Sequence, residues 1–145
     1  MEMEPDNRHP LTAVFVGSFD PFHEGHASIV KRALRLFDRL VIGIGVNPEK
    51  HYLYTIEERK SRIKALFPTV EVESYEGLTV DFARSHGAEY IIKGVRNAQD
   101  FTYEQQQALW NKQHGGMETI LLLAEPGLEE VSSTKIRENV LSEPQ

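Results

Sequence analysis

The stretch Gly17–His26, which reads GSFDPFHEGH, decides how this chain is interpreted. An apolar run, Leu11–Val16, directly precedes it, and a helical pattern directly follows it. Glycine, hydroxyl and histidine side chains therefore fall where a strand passes into a helix. Such a helix start offers unpaired backbone N–H groups and the positive end of the helix dipole to a phosphate. His23 and His26 lie three residues apart on the first turn, so both imidazoles are predicted to face that anion.

The rest of the chain continues this alternation of strands and helices. Apolar residues recur at helical spacing over Ile29–Phe37, and Leu40–Val46 is continuously apolar, like a central parallel strand. Thr55 and Glu58 form a capping box that predicts the start of the second helix. The predicted strands are 11–16, 40–46, 70–74, 89–93 and 119–123, and the later helices are 55–67, 78–85, 99–114 and 133–141. Five strands alternating with helices predict an α/β fold, a doubly wound five-stranded parallel sheet.

Composition narrows the classes of protein to which the chain could belong. A length of 145 residues suits one domain that buries roughly two thirds of its unfolded surface. The net charge of -6 argues against a general nucleic-acid or membrane binder, because no broad basic face forms. The absence of cysteine excludes disulfides and thiolate catalysis and favours a reducing compartment. We predict a disordered lead-in over 1–10, with no signal peptide, and a single domain over 11–145.

Polar clusters follow four of the predicted strands. Gly17–His26 follows the first strand and Asn47–Lys50 the second. Lys93–Arg96 ends the fourth, and Glu125–Thr134 follows the fifth. Ligands of doubly wound sheets bind beyond the carboxyl ends of the strands, where the strand order reverses. The clusters therefore predict one phosphate-binding site, electropositive within an otherwise acidic chain.

On these clusters the chain resembles the phosphopantetheine adenylyltransferases of the nucleotidyltransferase superfamily. The superfamily's (T/H)xGH signature corresponds to His23–His26. The family's (R/K)GxR segment followed by DFxYE resembles Lys93–Arg96 and Asp100–Glu104. Its ISST stretch resembles Val131–Thr134, and its lysine loop resembles Asn47–Lys50. The matches run in order along nearly the whole chain.

The resemblance implies a Rossmann-like nucleotidyltransferase fold and a reaction. That reaction moves the adenylyl group of ATP to 4′-phosphopantetheine and gives dephospho-coenzyme A and pyrophosphate, in coenzyme A biosynthesis. Mg²⁺ is expected, held mainly by the ATP phosphates, with no metal ligands from the protein. The resemblance also implies a cytoplasmic homohexamer with feedback by coenzyme A, and neither a nucleic acid nor a membrane is an expected partner.

Carried over residue by residue, the family's pattern implies three groups of site residues. His26 is expected to donate to the α-phosphate in the transition state. The residues implied for catalysis are His26, Ser18, Lys50 and Lys93. The residues implied for ATP binding are Ser18, Phe19, His26, Gly94, Val95, Arg96, Glu104, Leu128, Ser132, Ser133 and Thr134. The residues implied for binding the acceptor are Ser18, Lys50, Thr79 and Lys93.

The chain departs from the family's pattern at a few positions. Ser18 stands where Thr is common, which keeps the hydroxyl, and Lys93 stands where Arg is frequent, which keeps the charge but not the planar fork. Leu128 stands where some members have a Trp against the nucleotide. Family members usually continue past the last helix with another short helical segment, whereas this sequence stops at Gln145.

Structural roles stay open for several of these residues. Arg96 could be an ion-pair partner, and Glu104 could face water. Ser132 or Ser133 is the predicted N-cap of the last helix. The aromatic residues of the long helix are predicted to serve in packing or subunit contacts: Phe101, Tyr103 and Trp110.

Three alternative functions also stay open. A glycerol-3-phosphate cytidylyltransferase is expected to carry an RTxGIST-type segment, and Val131–Thr134 lacks the preceding Arg-Thr. A nicotinamide-mononucleotide adenylyltransferase differs in the same way. A catalytically silent nucleotide-binding protein is expected to have lost His26, Lys50 or Lys93, and all three are present.

Overall fold

A computed structural model of the chain describes residues 9–142. The strands are β1 (Thr12–Gly17), β2 (Arg39–Gly45), β3 (Glu71–Tyr75), β4 (Tyr90–Val95) and β5 (Glu118–Leu123). The helices are α1 (Glu24–Leu36), α2 (Ile56–Leu66), α3 (Thr79–Ser85), α4 (Ala98–Gly115) and α5 (Ser133–Ser142). Every strand and helix predicted from the sequence is present. Most of the predicted lead-in, residues 1–8, lies outside the described residues, and His9 contacts Glu89 with 2.7 Å between Nε2 and Oε1.

The five strands form one sheet in the order β3-β2-β1-β4-β5. Each neighbouring pair is parallel. The chain builds outward from β1 through β2 to β3, and then crosses to the other side of β1 to form β4 and β5. The strand order therefore reverses between β1 and β4, which is where doubly wound sheets bind ligands. The predicted fold class, an α/β doubly wound five-stranded parallel sheet, is confirmed.

Alternate residues of the central strands pack against helices on opposite faces of the sheet. Phe15 of β1 belongs to a buried cluster with Val30 of α1 and Ile63 of α2. Its neighbour Val14 belongs to a second buried cluster with Phe82 of α3. Burial on both faces explains why these strands are continuously apolar. Within residues 9–142, none of the helices is both long and apolar enough to cross a lipid bilayer.

Gly43 in β2 leaves room for an aromatic ring of α3. A Cβ at Gly43 would lie 2.5 Å from Cε1 of the buried Phe82. We expect Gly43→Ala to lower the free energy of unfolding by about 1–3 kcal/mol, because the added methyl group overpacks the core. Gly45→Ala is the matched control, since a Cβ there would meet Tyr75 Oη at an ordinary 3.4 Å. Urea unfolding measures both variants, and equal stabilities would contradict this packing.

Candidate active site

Two adjoining cavities open at the carboxyl ends of the strands. The larger, of about 600 Å³, is lined by the predicted site residues Ser18, Lys50, Thr79, Lys93 and Glu104. The smaller, of about 290 Å³, is lined by the others, namely Phe19, His26, Gly94, Val95, Arg96, Leu128, Ser132, Ser133 and Thr134, and again by Lys93 and Glu104. The cavities therefore meet at Lys93 and Glu104. Every site residue predicted from the sequence lines one cavity or both.

The turn after β1 separates the two cavities. Phe19 has a φ of 51°, in the left-handed region that costs a bulky residue about 1–3 kcal/mol. Its ring is buried against Phe15 and Phe22, with centroids 5.3 and 5.5 Å away, and this packing holds the backbone in place. Gly17 gives the ring space, because a Cβ there would lie 3.0 Å from Cε1 of Phe19. As a result Ser18 lines the larger cavity and Phe19 the smaller one.

His23 caps α1 with its imidazole ring. Its Nδ1 accepts hydrogen bonds from the N–H groups of Gly25 at 3.0 Å and His26 at 3.4 Å. A Cβ at Gly25 would lie 2.9 Å from Cε1 of His23, so the missing side chain leaves room for this ring. Two of the N–H groups that the sequence predicts for a phosphate are thus already occupied. The prediction that the start of α1 offers its N–H groups to a phosphate is therefore wrong for these two groups, which bind His23 instead. The side chains of both histidines do line the smaller cavity.

His26 is held as a neutral hydrogen-bond donor. Its ring stacks on that of His23 with 3.7 Å between centroids, and its Nδ1 accepts from the His23 N–H at 3.2 Å. Because Nδ1 accepts, we assign the ring hydrogen to Nε2. Burial, followed by the nearby charges of His23, Lys93 and Arg96, lowers the pKa of His26 well below its usual value. Near neutral pH the ring therefore offers Nε2–H to an anion in the smaller cavity.

Lys93 and Glu104 form a pair where the cavities meet. The Lys93 ammonium lies 3.5 Å from Oε1 of Glu104. Glu104 is only 7% exposed, and its Oε2 is buried without a hydrogen-bond partner. Burial raises the pKa of this carboxyl, and the charge of Lys93 opposes that effect. The alternative in which Glu104 faces water is wrong, and its second oxygen is available to a donor from a ligand.

Arg96 is paired within the site. Its guanidinium donates to both carboxylate oxygens of Asp100, from Nε at 2.8 Å and from Nη2 at 3.1 Å. These hydrogen bonds lower the pKa of Asp100. The ion pair left open by the sequence is thus present, and Arg96 also lines the smaller cavity. A phosphate there would bind the remaining N–H groups of the guanidinium or displace Asp100.

The start of α5 closes the smaller cavity. The Oγ of Ser132 accepts from the N–H of Lys135 at 3.1 Å, so Ser132 is the N-cap. The hydroxyl of Ser133 donates instead to the carbonyl of Pro21 at 2.8 Å, which joins α5 to the segment after β1. The first N–H groups of α5 have no acceptor within their own helix, as at any helix start.

Lys50 and Thr79 line the larger cavity in different states. Lys50 is exposed on the loop after β2, and within residues 9–142 no carboxylate forms an ion pair with its ammonium. Thr79 begins α3, and its hydroxyl is 2.9 Å from the hydroxyl of Tyr75. The Lys50 ammonium is therefore free to approach an anion, whereas the Thr79 hydroxyl already has a partner.

Comparison with known proteins identifies the family. The chain matches the Cytidylyltransferase-like family over residues 14–139. The phosphopantetheine adenylyltransferase of Phocaeicola vulgatus is 48% identical over 129 residues, which cover 87% of this chain and 85% of that one. The protein of the same name from Bacteroides fragilis is 47% identical, over 87% of this chain and 86% of that one. The chain belongs to the phosphopantetheine adenylyltransferase family.

Solved structures of more distant proteins share the fold of this adenylyltransferase-family chain. A bifunctional NMN adenylyltransferase/ADP ribose pyrophosphatase from Francisella tularensis superposes with a TM-score of 0.67 at 19% identity, over 90% of this chain and 42% of that one. A pantoate-beta-alanine ligase from the same organism gives 0.62 at 14% identity, over 88% and 65%. Likeness at such low identity concerns the Rossmann-like fold alone.

Three charged residues that support the site from outside the two cavities are absent from the sequence prediction. Asp20, Arg59 and Arg137 all make hydrogen bonds at the segment that follows β1. Arg59 carries a signal in the sequence, because it lies at helical spacing between Ile56 and Ile63, where an apolar residue is expected. Its contact with the carbonyl of Ser18 spans 41 positions of the chain, and no local sequence pattern identifies it.

Two aromatic residues of α4 lie at the larger cavity. Tyr103 and Trp110 line it, although the sequence predicts them for packing or subunit contacts. Glu104 is the one buried residue of α4. The helix therefore has no apolar stripe from which its inward face could be predicted.

The histidine pair predicts a pH dependence of stability. Burial, followed by the charge of Arg96, lowers the pKa of His23 to about 4. An unfolded histidine binds its proton near pH ~6.5, so the folded state loses stability as the pH falls from there toward the folded pKa. We expect His23→Thr, which keeps a capping oxygen, to lose less stability than wild type between pH 7 and pH 5. Urea unfolding at both pH values measures this difference.

His51→Thr is the matched control for this experiment, since His51 is exposed on a loop. Its pH dependence should follow that of wild type. A pH dependence of His23→Thr equal to that of wild type would contradict the neutral, half-buried state of His23.

Proposed function

We propose that this protein transfers the adenylyl group of ATP to 4′-phosphopantetheine and gives dephospho-coenzyme A and pyrophosphate, a step of coenzyme A biosynthesis. The observation that carries the proposal is the meeting of two cavities at Lys93 and Glu104 in a chain of this family. ATP would occupy the smaller cavity and the acceptor the larger one. Each would bring a phosphate group to the junction from its own side.

The chemistry needs positioning more than proton transfer. An oxygen of the acceptor phosphate attacks the α-phosphorus of ATP in line, and the bond from that phosphorus to the oxygen bridging to the β-phosphate breaks on the opposite side. The attacking oxygen is already ionised near neutral pH, so no general base is required. Catalysis then depends on holding the groups and on stabilising the charge that spreads over the transferred group. The Nε2–H of His26 suits this task because the neutral ring donates and keeps its proton.

The ATP side is assigned to the smaller cavity. The backbone N–H groups at the start of α5 and the guanidinium of Arg96 suit the β- and γ-phosphates. The buried Oε2 of Glu104 suits a donor on the ribose or the adenine. The further ATP contacts that we propose are Ser18, Phe19, Gly94, Val95, Leu128, Ser132, Ser133 and Thr134.

We propose that Mg²⁺ enters with ATP. Across the described part of the chain, no group of three or more His, Asp or Glu side chains could hold a metal ion. A magnesium ion held by phosphate oxygens and water needs no such group. Arg96 and the start of α5 would hold the phosphates that carry it. When bound, the ion would neutralise charge on the leaving pyrophosphate.

The acceptor side is assigned to the larger cavity. The ammonium groups of Lys50 and Lys93, with the hydroxyl of Ser18, suit a phosphate monoester. Thr79 suits the arm of the substrate beyond that phosphate.

We also propose a cytoplasmic homohexamer that coenzyme A inhibits by feedback, with no nucleic-acid or membrane partner. Exposed apolar side chains on α4 and β5 support a subunit interface: Phe101, Leu109 and Leu123. β5 is an edge strand of the sheet, so its outer backbone groups have no neighbouring strand. The net charge of -6 does not favour a polyanionic partner.

Release of pyrophosphate from ATP tests the reaction and the role of His26. Release should require added phosphopantetheine. We expect His26→Ala to lower kcat by ~100-fold or more and to change the KM for ATP by less than ~3-fold, because the donor acts mainly in the transition state. His9→Ala is the control, since His9 lies before β1, away from both cavities.

Two outcomes would contradict this account. Release with CTP and glycerol 3-phosphate, together with none from ATP and phosphopantetheine, would replace the proposed substrates. A kcat of His26→Ala within a few-fold of wild type would remove His26 as the donor.

Lys93 should act mainly on the acceptor. We expect Lys93→Ala to raise the KM for phosphopantetheine by about tenfold or more, because a charged partner of the phosphate is lost. Lys112→Ala is the matched control, since Lys112 also pairs with a carboxylate of Glu118, at 2.9 Å, but on the exposed surface. Steady-state kinetics with each substrate varied measures both variants. An unchanged KM for phosphopantetheine in Lys93→Ala would remove the assignment.

A further inference from the structure

Arg59 is a buried cation without a carboxylate partner. The residue is only 2% exposed, and among the residues that the structure describes no carboxylate forms an ion pair with it. Burial of an unpaired charge costs several kcal/mol in most settings. An apolar residue would fill this position of α2, between Ile56 and Ile63, at a lower cost. The guanidinium therefore calls for a role other than packing.

The guanidinium joins two segments of the site. Its Nη1 donates to the carbonyl of Ser18 at 2.9 Å. Its Nε donates to the carbonyls of Tyr54 at 3.1 Å and Thr55 at 3.3 Å. The first contact lies in the turn after β1, and the others lie at the end of the loop that carries Lys50. The contacts leave from two different nitrogens of the planar guanidinium, with the Nε–H shared between two carbonyls, and a single ammonium nitrogen cannot reproduce this geometry.

A second set of contacts leads from Arg59 to Lys50. The guanidinium carbon lies 4.3 Å from the ring centroid of Tyr52, a cation–π contact. The hydroxyl of Tyr52 accepts from the N–H of Asn47 at 2.8 Å. The carbonyl of Asn47 in turn accepts from the N–H of Lys50 at 3.0 Å. Arg59 is thus linked through Tyr52 and Asn47 to the turn that carries Lys50.

Asp20 binds the same loop through its backbone N–H groups. Its carboxylate accepts from the N–H of Leu53 at 2.9 Å and of Tyr54 at 2.8 Å. Asp20 is 2% exposed, so these hydrogen bonds are shielded from water. The Lys50 loop is therefore fixed to the turn after β1 by a buried carboxylate and a buried guanidinium.

We propose that Arg59 is a positioning residue for Lys50: it fixes the Lys50 loop to the turn that carries Ser18, so that both side chains can bind a single phosphate of the acceptor in the larger cavity. The proposal rests on the proposed function, because it takes the larger cavity as the acceptor site. Arg59 does not touch the substrate in this account. It acts through the loop, and Asp20 acts with it.

The kinetic test compares Arg59→Met with Arg35→Met, an identical change at an exposed position near the end of α1. We expect Arg59→Met to raise the KM for phosphopantetheine by ~10-fold or more, because a displaced Lys50 ammonium binds the acceptor phosphate less well. The KM for ATP should stay within ~3-fold of the wild-type value. Arg59→Lys should fall between Arg59→Met and wild type. Arg35→Met should behave as wild type.

A double-mutant cycle separates positioning from general support of the fold. In a Lys50→Ala background, we expect Arg59→Met to raise the KM for phosphopantetheine by less than ~3-fold, because the group that it positions is already gone. Equal fold-changes with and without Lys50, or equal changes in the KM for both substrates, would overturn the proposal. Asp20→Asn provides a second variant that weakens the same loop if Arg59→Met folds poorly.

Amide hydrogen exchange gives a readout that does not depend on the substrate. We expect exchange over residues 46–55 to be faster in Arg59→Met than in wild type, and unchanged in Arg35→Met. Unchanged exchange in Arg59→Met would overturn the role of Arg59 whatever the reaction is. A wild-type protein that releases no pyrophosphate with phosphopantetheine would contradict the proposed function instead, so the two failures can be told apart.

Discussion

The backbone carbonyls of the turn after β1 bind side chains from two different helices, and the site depends on these hydrogen bonds. Arg59 of α2 donates to the carbonyl of Ser18 at 2.9 Å. From α5, Ser133 donates to the carbonyl of Pro21 at 2.8 Å and Arg137 to that of Asp20 at 2.7 Å. A buried carbonyl without a hydrogen-bond donor lowers stability. These hydrogen bonds therefore hold α2 and α5 in place against the turn. α5 lines the smaller cavity, and α2 directly follows the Lys50 loop that lines the larger one, so the turn is tied to a wall of each cavity.

Most of the fold could be predicted because its signals are local. Buried parallel strands read as apolar runs, and Thr55 with Glu58 marks a helix start by chemistry that needs only neighbouring residues. The position of the site followed from topology, since polar residues such as Lys50 and Arg96 come directly after strands. That rule brought all of the predicted site residues to the two cavities. Their individual roles in binding and catalysis remain predictions.

Other features could not be read from the sequence because they depend on contacts between distant residues. Arg59 and Ser18 are 41 positions apart, and nothing near either one announces the other. Arg96 can bind either a phosphate or Asp100. Which of them it binds depends on the geometry of two side chains, one directly after β4 and one in the first turn of α4. The sequence alone could not decide whether His23 caps α1 or binds the phosphate, because an imidazole at this position suits either role. Its capture of two N–H groups instead leaves His26 as a neutral donor in the smaller cavity.

The central claim is that two cavities bring two phosphate groups together at one junction. A crystal structure with dephospho-coenzyme A bound tests it most directly, because this molecule contains both halves joined by a diphosphate. We expect adenosine in the smaller cavity, the pantetheine arm in the larger one, and the diphosphate within hydrogen-bond distance of His26 Nε2 and Lys93 Nζ. A diphosphate bound away from both of these atoms would contradict it.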